Sequence, residues 1–323
     1  MPPVPTRKKK LFAICAVDAD VVGQIRGGRP RWNRARWDAS VYDALGRLYT
    51  RVELLGVEDG RLAGLAAMEG SGASVVFNLA LSTLPLEAAF VACLEFAGLR
   101  VTGSGMLAMA LANDKIRSRI LLAAAGVRVP RFVVLAPGKN PGHIDLTPPV
   151  IVKPAFQGSA FGISRDSVVM TQRAVLDRAR RIWKRFGEPA VGDEFIQGRE
   201  FRVGFIEGRG KVFTIAGIGE WSFPEAEKGF RAEGSRKNQR LRNLRADQLP
   251  AALWAEMTTI GRTAFETLGI RGYASLDLRV DQFGRVTVLE VNANPGLSSD
   301  SPVWAVRGFD LTIRQIVDAA LRE

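Results

Sequence analysis

The sequence predicts an α/β fold with α+β parts, built from three consecutive units. Strand-like and helix-like stretches alternate over residues 11–101, which is typical of a βαβ domain. A strong helical pattern follows at Met106–Ala125, and two β-branched runs near the end of the chain are joined by a short turn. A chain of 323 residues can hold two or three subdomains. We place them at residues 1–102, 103–189 and 190–323.

The composition is that of a globular protein with an excess of positive charge. Hydrophobic residues make up 47% and charged residues 24% of the chain, and no apolar run is long enough to span a bilayer. The formal net charge of +12 makes nucleic-acid binding one alternative. However, the arginines are dispersed and match no nucleic-acid-binding motif, so the charge supports only a general attraction for anions.

The small numbers of cysteine and histidine residues limit the kinds of metal site and catalytic site that the chain can form. Cys15 and Cys93 form no metal or disulfide pattern, so we expect a reducing cytoplasm. His143 is the single histidine and lies in a loop rich in proline and glycine. A histidine-rich zinc site is therefore excluded, and Ser-His-Asp hydrolysis is disfavoured.

The first unit begins with an apolar stretch at Leu11–Val17. It follows three lysines as a secretion signal would, but two aspartates end it early, and we interpret it as a buried first strand. Residues 75–78 predict a further strand. The helical spacing over Leu86–Ala97 predicts a helix that ends at Gly98.

In the second unit, the helix Met106–Ala125 is followed by a strand at Phe132–Leu135. A later strand carries Lys153 at its end and leads directly into a turn rich in glycine and serine. Backbone N–H groups in such a turn, beside an ammonium group, form a phosphate-binding concavity. The pattern is not the Walker motif. The alternative is a tight hairpin with Gly158 and Gly162 at positive φ.

A basic helix at Gln172–Phe186, interpreted as a solvated face, leads to the third unit. Strands there flank Gln197-Gly198, and a strand at Lys211–Gly217 precedes a polar stretch, residues 219–248. Long loops inside compact enzymes are commonly lids, although a merely solvated loop is the alternative. Basic residues are crowded in this stretch: Lys228, Arg231, Arg236, Lys237, Arg240, Arg242 and Arg245. An amphipathic helix is predicted at Leu253–Leu268.

The last hairpin carries three oxygen ligands near the ends of its strands. Asp277 lies in the run Ala274–Val280, and the run Arg285–Val291 contains Glu290 and is followed by Asn292. A short loop between two β-branched runs makes a hairpin, so Asp277 and Glu290 can lie on facing strands. Two carboxylates and an amide suit Mg²⁺, which completes its octahedron with phosphates and water. The alternative is a hairpin with exposed acids.

The order of these motifs resembles that of ATP-grasp enzymes, and most closely that of D-alanine–D-alanine ligases. Four motifs carry the resemblance, which runs from about residue 75 to residue 301: Gly103-Ser104-Gly105 with Asn113-Asp114-Lys115, Val150–Lys153 with Gly158-Ser159, Glu194–Glu200, and Leu289–Gly296. The resemblance implies an ATP-grasp fold with an N-terminal βαβ domain and a central α+β subdomain. The C-terminal ATP-grasp subdomain would carry the magnesium site and the lid.

The resemblance also implies how the nucleotide would be held. Lys115 and Lys153 would bind the ATP phosphates as point charges, and Glu200 would accept hydrogen bonds from the ribose hydroxyls. Asp193 and Glu194 would lie beside adenine, and Ile196 would be a further cofactor-binding residue. Three residues would hold two Mg²⁺ ions, for which Mn²⁺ can substitute: Asp277, Glu290 and Asn292.

The implied activity is the ATP-dependent joining of a carboxylate to an amine through an acylphosphate. Phosphoryl transfer needs in-line positioning and charge neutralisation more than a protein nucleophile. Lys228 would reach the γ-phosphate when the lid closes, and the Gly296 N–H would hold the oxyanion. Ser159 and Ser301 would position the lid and the carboxylate of the second substrate.

The departures from the family concern the amino-acid substrate. The first strand leads into residues 18–23 without the family's Ser-x-Glu-x-x-Ser helix, and residues 81–87 replace its His-Gly loop. Ser275 occupies the position at which the family has an arginine that stabilises the transferring carboxylate oxygens. The loss of that arginine matters unless Arg202, Arg279 or a lid arginine takes over its role.

These departures leave several functions open. A ligase of the same fold for another amino acid, a peptide or an acidic metabolite is one alternative to the dipeptide ligase. A non-catalytic ATP-binding protein is another. We expect a small-molecule amino-acid or acidic substrate and neither a membrane nor a nucleic-acid partner, and a homodimer is compatible with the sequence.

Overall fold

The computed structural model describes residues 9–26, 33–58, 63–80, 84–139, 141–223, 229–233 and 240–322. These residues form the predicted α/β fold with α+β parts: a three-stranded parallel sheet, a four-stranded antiparallel sheet and a five-stranded antiparallel sheet. None of the helices in these ranges is long and apolar enough to cross a membrane.

Seven elements form the first unit: β1 (Lys9–Asp18), α1 (Ala19–Arg26), α2 (Asn33–Leu48), β2 (Tyr49–Val57), α3 (Ala63–Glu69), β3 (Val75–Asn78) and α4 (Leu84–Phe96). The strands are parallel, in the order β2-β1-β3. Residues 13–17 of β1 are buried, as both faces of a parallel sheet are covered. The apolar stretch that begins the sequence is therefore a core strand, as predicted.

The next unit contains α5 (Met106–Asn113), α6 (Lys115–Ala124), β4 (Phe132–Leu135), β5 (Val150–Pro154), β6 (Val168–Val169), α7 (Gln172–Phe186) and β7 (Ala190–Glu194). Its sheet has the order β4-β7-β5-β6. The sheet thus includes one strand that follows residue 189, the predicted end of this unit. The division of the chain at residues 102 and 189 stays a prediction.

The single helix predicted at Met106–Ala125 is instead two helices that meet at Asp114. Asp114 has φ −97° and ψ 100°, and its Oδ1 accepts the N–H groups of Ile116 and Arg117 at 2.9 and 3.0 Å. Aspartate is a strong N-cap because its side chain satisfies N–H groups that have no partner in the first turn. The break places Lys115 at the first position of α6.

The last unit contains β8 (Arg199–Glu207), β9 (Phe213–Ser222), β10 (Arg240–Leu244), α8 (Ala251–Leu268), β11 (Tyr273–Val280), β12 (Val286–Asn292) and α9 (Phe309–Ala320). The sheet order is β10-β9-β8-β11-β12. The prediction of a loop over the whole of 219–248 is wrong at both ends. Residues 219–222 extend β9, and 240–244 pair with them as β10 because Glu220 lies against Arg242, with a 3.3 Å ion pair.

The cores place α9 between two units. One apolar cluster joins Ile313, Ile316 and Val317 of α9 to β1 and β3 and to Ile206 of β8. The four-stranded sheet has a separate cluster that includes Val152 and Ile182. The first and last units therefore share a core, and the four-stranded sheet packs its own against α7.

Candidate functional site

Three strands of the five-stranded sheet place charged side chains opposite one another. The register pairs Asp277 of β11 with Arg202 of β8 on one side and with Glu290 of β12 on the other. Directly opposed residues of antiparallel strands share a face of the sheet. The predicted hairpin is confirmed, and its two acids face each other across it.

Arg202 holds the Asp277 carboxylate with both arms of its guanidinium group. Nε donates to Oδ1 at 2.8 Å, and Nη2 donates to Oδ2 at 2.7 Å. Burial opposes charge on the carboxyl, but the guanidinium outweighs burial and holds the pKa of Asp277 below its ordinary value. The carboxylate is therefore ionised, as a metal ligand must be.

Glu290 and Asn292 complete the predicted metal site. Glu290 Oε1 lies 2.9 Å from Lys115 Nζ, and Asn292 Nδ2 donates to Asp277 Oδ2 at 3.3 Å. Two carboxylates and one carboxamide thus converge, and such oxygen donors fit Mg²⁺, which takes further ligands from phosphates and water. Within the ranges that the structure describes, no cluster of three or more acidic, histidine or cysteine side chains could hold a metal.

Asp193 is buried between two cations from other elements. Arg119 of α6 contacts both carboxylate oxygens, with Nη2 2.9 Å from Oδ2, and Lys153 Nζ lies 3.0 Å from the same oxygen. Burial alone would raise the pKa of Asp193, but the two cations reverse this and hold it below its ordinary value. Burial also lowers the pKa of Lys153, although Asp193 opposes it. Asp193 therefore fixes the ammonium group that is predicted to meet a phosphate.

Arg119 was not among the predicted site residues. Only 2% of its side chain is exposed, and Nη2 also donates to the Leu289 carbonyl oxygen at 3.3 Å. The residue thereby ties α6 to β7 and β12. The sequence contained one signal for it, because Arg119 follows Lys115 by four residues and shares its face of the helix.

Glu200 is oriented by a guanidinium group in the same way. Arg279 Nε and Nη2 both donate to Oε2, at 3.0 and 2.7 Å, so Oε1 receives no hydrogen bond from the described residues. That oxygen can accept a hydroxyl donor such as ribose would supply. Arg279 Nη1 also donates to the Ile196 carbonyl oxygen at 2.7 Å, which fixes the turn between β7 and β8.

A solvent-open cleft of about 660 Å³ lies between the four-stranded and the five-stranded sheets. Seven of the predicted residues line it: Lys153, Asp193, Glu194, Ile196, Glu200, Asp277 and Glu290. Lys115 and Asn292 join this group through their contacts with Glu290 and Asp277. The predicted nucleotide and metal residues that the structure describes are therefore together in one cleft.

Three of the predicted catalytic residues do not line the cleft. Ser159 is exposed on the turn that follows β5. Ser301 Oγ accepts the N–H of Val303 at 3.2 Å and so stabilises the turn after β12. Gly296 is exposed beside Trp37 of α2, whose ring would lie 3.2 Å from a Cβ at this position. The roles of these residues stay predictions.

The turn after β5, residues 155–163, has a strained backbone. Ser159 and Ala160 have φ values of 54° and 63°, a conformation that costs non-glycine residues about 1–3 kcal/mol each. Gly162 has φ 73°, as the hairpin interpretation predicted, whereas Gly158 is not in the left-handed region. Such strain commonly marks a ligand-binding segment.

A segment of the predicted lid covers this turn. The Gly162 N–H donates to Glu233 Oε2 at 2.9 Å, and the Glu233 N–H donates to the Ile163 carbonyl oxygen at 2.7 Å. The Glu233 carboxylate thus accepts a hydrogen bond from one of the backbone N–H groups that were predicted to bind phosphate. Lys228, predicted to reach the γ-phosphate, lies outside the described residues.

Ser275, where an arginine was expected from the resemblance, is closed off from the cleft. It is fully buried, and its Oγ has no hydrogen-bond partner among the described residues. Its register partner on β8 is Gly204, and a Cβ there would meet Val303 at 2.4 Å and Trp304 at 2.9 Å. The turn after β12 therefore covers the sheet at this position.

Comparisons with known proteins agree with the motifs. A family model described as D-ala D-ala ligase C-terminus matches residues 121–319. A D-alanine–D-alanine ligase of Citrifermentans bemidjiense is 32% identical over 232 residues, 70% of this chain and 72% of the relative. A D-alanine–D-alanine ligase of Pseudomonas putida is 30% identical over 288 residues, 88% of this chain and 86% of the relative.

Solved structures share the fold over nearly the whole chain. D-alanine–D-alanine ligase from Bacillus anthracis, complexed with ATP, has a TM-score of 0.74 at 17% identity, covering 96% of this chain and 98% of that one. The VanG D-Ala:D-Ser ligase from Enterococcus faecalis has a TM-score of 0.72 at 15% identity, covering 96% and 100%. The predicted ATP-grasp fold is confirmed. Since the family model matches more than half of the sequence, this chain belongs to the D-alanine–D-alanine ligase family of ATP-dependent, amide-forming ligases.

Proposed function

We propose that this protein uses ATP and Mg²⁺ to join the carboxylate of an amino acid to an amine through an acylphosphate. One observation carries the proposal: the acids Asp277 and Glu290 face each other across a hairpin, at a cleft that also contains Lys153 and Glu200. These groups meet the needs of phosphoryl transfer, which are metal ligands, phosphate-binding cations and a nucleotide anchor.

The residues divide the work along the cleft. Arg279 presents Glu200 to the ribose hydroxyls, and the Asp193–Arg119 pair holds Lys153 where it can neutralise a phosphate. Lys115 supplies a second ammonium group next to the metal acids. Bound Mg²⁺ would neutralise phosphate oxygens and polarise the γ-phosphorus for attack by the substrate carboxylate. The acylphosphate then loses phosphate as the amine attacks.

For the first candidate function, the amino acid is D-alanine, as in the family. A second candidate, a ligase for another amino acid, a peptide or an acidic metabolite, has its own support. Ser275, which stands where the resemblance led us to expect an arginine, is buried without a cation, so the site departs from the family pattern at this position. The nucleotide half is common to both candidates. The substrate is what separates them.

A substrate panel tests the proposal. The protein is incubated with ATP, Mg²⁺ and D-alanine alone, then with panels of other amino acids, peptides and acidic metabolites. Phosphate release and new amides are measured, the amides by mass spectrometry. Amide formation with D-alanine alone supports the first candidate, and amide formation only with other acids supports the second.

The variant Glu290→Gln connects that activity to the cleft. Because a metal ligand loses its charge, turnover is expected to fall by about 10²-fold or more, while the fold is retained. Glu256→Gln, an exposed glutamate on α8, serves as the matched control and should not change turnover. Normal turnover by Glu290→Gln would contradict the metal assignment.

A further inference from the structure

The pairing of Arg202 with Asp277 raises a question of occupancy. Both Asp277 oxygens already accept hydrogen bonds from this guanidinium group, at 2.8 and 2.7 Å. The proposed function requires the same oxygens as metal ligands. A cation that coordinates Asp277 must therefore share or displace the hydrogen bonds of Arg202.

Arg202 cannot simply turn into solvent when its partner is taken. Its side chain is only 25% exposed, and it lies between β9 and β11, with its guanidinium carbon 5.7 Å from the centre of the Trp221 ring. A partly buried guanidinium group without a counter-ion is costly, so it must find another anion nearby.

Most other cations of the cleft are bound away from Asp277: Lys115 contacts Glu290, and Arg231 lies over the Trp221 ring, 4.3 Å from its centre. Lys153 and Arg119 share Asp193, and Arg279 is held by Glu200. Ser275, the neighbouring position on β11 that faces the same way, is covered by the turn that contains Trp304. Arg202 is therefore the arginine in the described part of this sheet whose partner is a predicted metal ligand.

We propose that Arg202 has two partners in turn. It neutralises Asp277 in the empty cleft, and after this carboxylate is coordinated it donates its two arms to the oxygens of the phosphoryl group in transfer. The inference rests on the proposed function. A planar guanidinium group suits two such oxygens, because it can donate two parallel hydrogen bonds.

The chemical step balances without a proton from Arg202. The bond between the γ-phosphorus and the bridging oxygen breaks, and ADP leaves with the electron pair. A substrate carboxylate oxygen forms the new bond to phosphorus. Arg202 stabilises the charge on the non-bridging oxygens throughout, so it is a catalytic residue only in the electrostatic sense.

The test uses the full chain with Arg202→Ala, Arg202→Gln and Arg202→Lys. Arg199→Ala is the control, since Arg199 lies on the same strand but pairs with Glu220 at the surface. Circular dichroism and thermal midpoints establish that each variant folds. Arg202→Gln keeps a hydrogen-bond donor without the charge, which preserves the test where the alanine variant is unstable.

The first readout is independent of turnover. Calorimetry with ADP at saturation measures the dissociation constant of Mg²⁺. Removing the competing guanidinium should leave Mg²⁺ binding several-fold tighter in Arg202→Ala and Arg202→Gln, and unchanged in Arg199→Ala. Unchanged or weaker Mg²⁺ binding in the Arg202 variants overturns the inference, whether or not any substrate in the panel is turned over.

The second readout separates catalysis from packing. With a substrate that the wild type turns over, kcat should fall about 10²–10³-fold in Arg202→Ala, with KM for ATP little changed. Arg202→Lys should recover only part of kcat, because an ammonium group cannot donate as a planar fork. A wild-type kcat in Arg202→Ala overturns the inference. A wild type that makes no amide but binds Mg²⁺·ADP contradicts the proposed function alone.

Discussion

Each acid of the cleft lies against a cation from an element distant in the sequence. Asp193 of β7 pairs with Arg119 of α6, 74 positions away, and Glu200 of β8 pairs with Arg279 of β11, 79 positions away. Such pairs bring geometric order rather than net stability, because burying two charges costs about as much as their attraction returns. Losing one partner is therefore far more damaging than losing both.

The Asp193–Arg119 pair gives a direct test of this asymmetry. Asp193→Asn leaves Arg119 buried without a counter-ion and should lower the free energy of unfolding by about 3–5 kcal/mol. Urea unfolding followed by circular dichroism measures the change. The control Asp145→Asn removes a carboxylate that is 87% exposed in its pair with Arg131, and should change stability by less than about 1 kcal/mol. Equal losses in both variants would contradict the role assigned to burial.

The same pair makes stability depend on pH in a stated direction. The pKa of Asp193 is lower in the folded chain than in the unfolded chain, because Arg119 and Lys153 outweigh burial. A depressed carboxyl pKa contributes stability that is full above about pH 4 and is lost as the pH falls through the folded-state value. The stability gap between the wild type and Asp193→Asn should therefore narrow below about pH 4. A gap of constant size in urea titrations from pH 6 to pH 3 would count against this origin.

Sequence reasoning found the acids of the site more readily than their partners. Asp277 and Glu290 were predicted to face each other, because both lie on one hairpin whose alternation and turn are local. Arg119 was missed, since its contact with Asp193 depends on how α6 packs against β7. Local periodicity identifies which residues share an element. It carries little information on which elements meet.

At the scale of elements, the lid and the turn after β5 form one connected unit. Glu233 joins them through the Gly162 N–H and through Arg185 of α7, whose Nη2 lies 2.8 Å from Oε1. Hydrogen bonds from Arg185, which has the larger effect, and from the Gly162 N–H hold the pKa of Glu233 below its ordinary value. The prediction of a loop over 219–248 included neither this contact of Glu233 nor the strand β10, because a polar composition does not reveal which residues a segment will pair with.

Removing that carboxylate should loosen the turn. In Glu233→Ala the Gly162 N–H loses its acceptor, so amide exchange in a peptide covering residues 158–163 should accelerate by on the order of fivefold, the equivalent of one hydrogen bond. Hydrogen–deuterium exchange with mass spectrometry measures this rate. Asp177→Ala, which removes a surface partner of Arg180 on α7, is the control and should leave the peptide unchanged. Identical exchange in both variants would show that Glu233 does not hold the turn.

At the scale of the whole molecule, segments that are far apart in the sequence share one hydrophobic core, whereas the segment between them has a core of its own. The helix α9 ends the described chain but packs with β1, α2 and β3 of the first unit, and Arg47 of α2 forms a 2.7 Å ion pair with Asp310. The four-stranded sheet lies between them in sequence and has its own core. A sequence pattern shows that α9 is amphipathic, but not that its apolar face packs against both neighbouring sheets.

The separate cores predict which strands exchange their amide protons faster when one core is weakened. Ile316→Ala in α9 should lower the free energy of unfolding by about 2–5 kcal/mol and speed amide exchange in β1 and β8 together, because both strands share its core. Ile182→Ala in α7 should have a similar energetic cost but speed exchange mainly in β5 and β7. Hydrogen–deuterium exchange resolved by peptide distinguishes the two patterns. Exchange that spread over all three sheets in both variants would mean that the chain unfolds as one cooperative unit, in which case the cleft could not open by separating its two walls.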